Sequence, residues 1–136
     1  MEVAYLLQQI EEHEGVCILA SNLVQNIDAA FMRRITYVVH FPFPDQPMRK
    51  EIYLRMLPAL APVDDNIDWD FIAEKFELSG GHIKNIVLSA AFMAAAADKP
   101  INMQHLLLSA INELKKNEIV VVREDLREYA DLIFSD

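Results

Sequence analysis

With 136 residues, 53% of them apolar and 24% charged, the chain has enough apolar content to offset chain entropy; disorder is excluded, and one compact domain, or a small domain with part of another, is expected. A formal net charge of -9 argues against phosphate-backbone binding, which needs clustered Lys and Arg, so nucleic acid is not an expected partner. No apolar run reaches the ~18 residues of a membrane span and no basic-then-apolar signal segment is present, so a soluble, cytoplasmic protein with no membrane partner is expected.

The elements follow in chain order. Val3, Leu6, Leu7 and Ile10 recur at helical spacing and predict a helix that Glu14 and Gly15 close. Val16 to Ala20 is a short apolar run suited to a central buried strand, ended by Ser21 and Asn22. Its Cys17, the single cysteine, reads as a buried, inert thiol without a disulfide partner. Asn26 to Arg34 predicts a short helix, with Asp28 near its start and the arginines at its end, both favoured by the helix dipole. Ile35 to Phe41, rich in β-branched and aromatic residues, predicts a second strand, and Pro-Phe-Pro at 42–44 marks a linker.

Beyond the linker the pattern is helical. Met48, Ile52, Tyr53, Met56 and Leu57 form one stripe, with Pro47 suited to the first turn. Asp68, Ser79 and Asn102 stand where three further helices need N-caps. Ile83, Ile86, Val87, Ala90 and Ala94 line one face of the second of these. Met103, Leu107, Ala110, Ile111 and Leu114 line one face of the third. Leu126, Tyr129, Ala130 and Ile133 make a last stripe. Two strands are too few for an independent sheet covered on both faces, so the front reads as the edge of a larger α/β domain.

Four features bear on chemistry. Asn22 follows a buried strand, at the sheet edge where open α/β folds bind ligands; its amide can accept from water and donate to a phosphate oxygen, and it equally suits a plain turn. Arg33 and Arg34 close a helix before a strand and can reach an anion on another molecule, or simply complement the dipole at the surface. Ser79-Gly80-Gly81-His82 opens a helix with two glycines, which permit close backbone approach to an anionic ligand at the helix start. Lys84 lies just inside that helix, where the dipole disfavours a cation, and so suggests an anionic partner. His82 has no Cys or His at ligand spacing, and no metal site is expected.

These pieces, in this order, resemble the AAA-family ATPases. The polar end of that family's fourth sheet strand is its first sensor, matched here by Ile18-Leu-Ala-Ser-Asn22. The arginine fingers of the family follow in a segment matched by Ile27-Asp-Ala-Ala-Phe-Met-Arg33, and Arg34 resembles the second finger with a shortened spacing. Ile35 to Phe43, continuing through Pro44, Asp45 and Arg49, is similar to the last core strand and the approach to the lid. Ser79-Gly-Gly-His-Ile-Lys84-Asn85 looks like the second-sensor helix. The resemblance covers residues 3 to 116 and rests on the order and spacing of the motifs together.

It implies a mainly helical chain with a partial α/β segment: residues 1–44 as the end of a phosphate-loop-type sheet domain and 45–116 as a helical-bundle lid; residues 117–136, outside the resemblance, are expected from their apolar stripe to form a helical extension. It implies Asn22, Arg33 and Arg34 as catalytic groups, and Gly80, Gly81 and Lys84 as nucleotide contacts. ATP and Mg are the cofactors implied for the intact protein, which would work as a homo-oligomeric, hexameric ring on an unidentified macromolecular partner. Two departures matter. The family's phosphate loop needs closely spaced glycines, and this chain has only Gly15, Gly80 and Gly81. The family's acidic strand end has one rival here, Ile119 to Asp125, which lies out of order with Arg123 intervening and is either a short strand or more lid helix. The chain alone is therefore expected neither to bind nor to hydrolyse ATP. The alternative from another class is a non-catalytic interaction module built on the lid fold; a DNA-binding helical domain is weaker, since no helix shows a basic face.

Overall fold

The computed structural model describes residues 2–22, 27 and 29–134, apart from the side chains of Glu2 and Val3. Asn26 and Asp28, expected in the first turn of the second helix, lie outside them. The chain divides into two compact units, Met1–Phe41 and Pro42–Asp136.

The first unit holds helix α1 (Glu2–Glu12) and a single turn, α2 (Ala29–Met32), whose Phe31 is buried. The two expected strands do not form a sheet among the described residues: 16–20 and 35–41 run without ladder partners. A strand is stable only when paired, and two such segments cannot cover one another's faces. Their side chains are accordingly open, with Val16 and Tyr37 each 86% exposed. Cys17 is likewise exposed, not buried as its apolar surroundings suggested. The exposure of Val16, Ile18, Tyr37, Val39 and Phe41 leaves about 1.5–3 kcal/mol of burial ungained at each.

The second unit is helical and has its own core. Asp45 caps α3 (Gln46–Met56), accepting from the Met48 N–H at 2.9 Å, with Pro47 in the first turn. Asp68 caps α4 (Trp69–Lys75) through the Phe71 N–H at 2.9 Å. Helix α5 (Gly80–Ala96) follows Ser79, which makes no side-chain capping bond. Asn102 caps α6 (Met103–Lys115) in a reciprocal box with His105. Helix α5 packs on α6 and on α3, and α3 packs on α4. Ile83, Ile86, Val87, Ala90, Leu106 and Leu107 are all sealed from solvent at the α5–α6 seam.

The stripe expected on α3 is partly displaced. Tyr53 is buried, but Met48 and Met56 are exposed, and the buried neighbour one turn earlier is Arg49. A buried guanidinium is tolerable only when its donors are satisfied. Arg49 Nε donates to the Ala73 carbonyl and Nη1 to the Pro44 carbonyl, both at 2.7 Å. The side chain thus nails the end of the 42–44 linker to α4.

Both long helices end in Schellman turns without glycine. Lys99 N–H donates to the Ala94 carbonyl across Asp98 (φ 51°), and Ile119 N–H donates to the Leu114 carbonyl across Glu118 (φ 61°). The left-handed turn at Glu118 means that 119–122 is neither a strand nor more lid helix. It leads into Arg123–Leu132, a 3-10 helical stretch broken by a kink at Arg127 (φ 50°). That segment buries Leu126 and Ala130 against the core, with Tyr129 and Ile133 half-buried beside them.

Three outcomes follow from this packing. Arg49→Met strands two buried carbonyls and lowers stability by about 2 kcal/mol in urea unfolding. Glu118→Gly relieves the left-handed penalty and raises stability by about 1 kcal/mol in the same assay. The uncovered segments of the first unit make the chain self-associate as concentration rises, and Ile18→Lys with Val39→Lys weakens this; a monomer mass by light scattering at every concentration would refute it.

Candidate functional site

The sequence-selected residues fall in both units. Asn22 is exposed at the end of the 16–20 segment. Arg33 and Arg34 sit together on the turn that closes α2, where Arg33 N–H donates to the Ala29 carbonyl at 3.2 Å. Their side chains differ. Arg34 pairs through Nε with Glu11 of α1, and its Nη1 donates to the Ala30 carbonyl at 3.2 Å. Arg33 is exposed and has no side-chain partner among the described residues.

Gly80, Gly81 and Lys84 share the first two turns of α5. A Cβ added at Gly80 would meet Ile52 at 3.8 Å, and one at Gly81 would meet Ser79 at 3.9 Å, both ordinary contacts. Internal packing therefore does not demand either glycine. Lys84 is exposed, and α5 carries no acidic residue of its own in its first turn. This end of the helix presents free backbone N–H groups and a cation on the same side of the charge balance.

The buried polar centre next to it was not legible as a site in the sequence. Glu113 of α6 is only 5% exposed. Its Oε1 lies 2.9 Å from His82 Nδ1 and accepts from Asn85 Nδ2 at 3.0 Å, while Oε2 accepts from Lys116 Nζ at 2.6 Å. The Asn85 amide, then Lys116 and His82, hold its carboxyl down to about 2, well below the ordinary range, against the opposing effect of burial. One signal did exist: position 113 falls in phase with Met103, Leu106 and Ala110, so an acid there stands on an apolar face.

A second polar knot ties the 3-10 segment to α4. Tyr129 donates its hydroxyl to Asp68 Oδ2 at 2.7 Å while Asp68 caps the helix, so one carboxylate serves both. The pairing lowers the Asp68 carboxyl, led by the Tyr129 hydroxyl, and pushes the Tyr129 phenol up to about 12. Lys75 pairs with Asp125 at 2.6 Å and Arg127 with Glu74 at 3.0 Å, with Arg127 also over the Phe71 ring. Among the described residues no three His, Cys, Asp or Glu side chains could hold a metal ion together, and no helix is long and apolar enough to cross a membrane.

No protein-family model matches the chain. It is 30% identical over 137 residues to the proteasome-activating nucleotidase of Saccharolobus solfataricus, a match spanning 92% of this chain and 35% of that protein. It is 30% identical over 135 residues to the katanin p60 ATPase-containing subunit A1 of Strongylocentrotus purpuratus, covering 88% of this chain and 26% of the relative. The chain belongs to the AAA ATPase family. A 26S proteasome regulatory subunit 4 homolog of Oryza sativa subsp. japonica is 34% identical over 79 residues, covering 57% of this chain and 18% of that subunit. The AAA chain thus spans about a third or less of the length of these relatives.

The ionisation of Glu113 gives a pH test. A carboxyl lowered on folding stabilises the fold above its unfolded value and loses that contribution as pH falls through the folded one. The stability advantage of wild type over Glu113→Gln is therefore full near neutrality and shrinks as pH drops from 4.5 to about 2, read from urea midpoints at each pH. An advantage that does not change over this window would refute the assignment.

Proposed function

We propose that this chain supplies the sensing and inter-subunit side of an ATP-hydrolysis site in an AAA machine that remodels a macromolecular partner. The observation that carries the reading is the start of α5: an exposed lysine against the helix dipole, beside two glycines that packing does not require. Both features fit an anion seated against the turn, and nucleotide phosphates are the anions that AAA proteins handle. In this reading Gly80, Gly81 and Lys84 contact phosphate oxygens from the lid, and Lys84 couples lid angle to nucleotide state. Asn22 orients the attacking water. Arg33, with Arg34 beside it, offsets the charge that develops on the transferred phosphoryl group of a neighbouring subunit.

Nucleotide suits these cationic groups; ATP with Mg is proposed for the intact protein, and no residue of this chain is assigned to the metal. The neighbours implied are further copies in a ring, taken as hexameric. The relatives named for the proteasome support a protein as the substrate, and the cytoplasm is the compartment proposed for this work. A second reading, a non-catalytic interaction module, is favoured by one observation: the second unit has a complete core, yet α5 shows Leu88 and Phe92 (68% exposed) one turn apart on its outer face. A phosphate loop and an acidic strand end in the ~150 residues upstream favour the machine; their absence favours the module.

The test uses the intact ATPase. Arg33→Ala is expected to cut turnover by about 10³-fold or more while leaving each subunit folded, with Arg34→Ala acting in the same direction. Unchanged turnover in both variants removes the finger assignment. Residues 1–136 alone are expected to show no hydrolysis above blank, and a rate abolished by Asn22→Ala would contradict that.

A further inference from the structure

We infer that Glu113 is a positioning residue that fixes the first two turns of α5, and with them the place where Lys84 stands. The inference rests on the phosphate-facing reading of Lys84 for its catalytic consequence, but the mechanical part stands on geometry alone.

The start of α5 is poorly held by its own residues. Ser79 makes no capping bond, and Gly80 and Gly81 bring no side chains. Below them Ile83, Ile86 and Val87 are fully buried, which fixes which face points inward. Apolar contact is non-directional, however, and resists rotation of a helix better than a small slide along its axis. Directional bonds are needed to set axial position, and Glu113 supplies them. Its Oε1 engages His82 and Asn85, three positions apart and so on one face of α5. Lys84 lies between them in sequence and projects from a neighbouring face, exposed. A shift of one residue rise, ~1.5 Å, breaks both bonds at once.

The anchor itself is firm. Glu113 is buried, its other oxygen is taken by Lys116, and its own backbone carbonyl accepts from Asn117 Nδ2 at 3.4 Å. A buried carboxylate that lost its donors would be strongly disfavoured, so α5 cannot leave this position cheaply. The carboxylate also sets a negative charge against the start of α5, through His82 and Asn85, where the helix dipole favours one.

Two measurements decide the matter. Amide hydrogen exchange is compared in the wild-type chain, Glu113→Gln and Asn85→Ala, the last losing only one exposed donor. Residues 80–87 are expected to exchange about tenfold faster in both variants while 90–96 are unchanged. Equal exchange, or a uniform rise along α5, overturns the inference. In the intact ATPase, Lys84→Ala and Glu113→Gln are each expected to raise KM for ATP about tenfold with little change in kcat, and the double variant is expected to be no worse than Lys84→Ala alone. Losses that multiply show Glu113 acting otherwise than through Lys84 and overturn the catalytic half. A silent Lys84→Ala sinks the phosphate reading itself, while the exchange data still show whether Glu113 holds the turn.

Discussion

Helix α5 meets α6 along one side and α3 along another, while α4 packs on α3 and is tied to the 3-10 segment. Ile83, Ile86, Val87, Ala90, Leu106 and Leu107 at the α5–α6 seam are sealed from solvent. Fully burying each large one contributes about 1.5–3 kcal/mol, against about 0–1 kcal/mol for a half-exposed ion pair such as Arg127 with Glu74. The apolar seam therefore decides that the second unit exists. The polar ties decide finer things: Arg49 where the linker joins, Glu113 where α5 begins, Asp68 how α4 starts.

That division of labour bears on how an AAA lid would work. A helix packed along an apolar seam carries the base of Lys84 with it, while the exposed side chain keeps its own rotamer freedom. Arg49 prolongs the rigidity back to Pro44, since its bonds to Pro44 and Ala73 tie the last linker residue into the helical unit. The first unit has the opposite character, with extended apolar segments that its own residues do not cover.

Much of the second unit was readable from residue types. Asp68 and Asn102 mark helix starts because short polar side chains satisfy the first free N–H groups, Ser79 read the same way makes no such bond, Pro47 suits a first turn, and the aliphatic spacing on α5 and α6 matches a 3.6-residue turn. What escaped the pattern were charges on buried faces. Arg49 and Glu113 are inside because carbonyls, an amide, an imidazole and an ammonium surround them, and those partners come from other helices. Local spacing carries no record of such partners. The strands escaped for the converse reason: their composition was right, but pairing is a property of two chains of atoms side by side. Asn22, Arg33, Arg34 and Lys84 were selected by motif order, and exposure of their side chains is compatible with reaching a ligand without identifying it.

The closure of Tyr129 onto Asp68 spans 61 residues, and that of Asp125 onto Lys75 spans 50. On a ribosome, which releases the chain from its amino end, α4 must wait for these partners while α5 and α6 are already complete. Leu126, sealed in the finished core, arrives in the same late stretch. During that interval the nascent helical unit shows water an apolar patch that the 123–132 segment later covers.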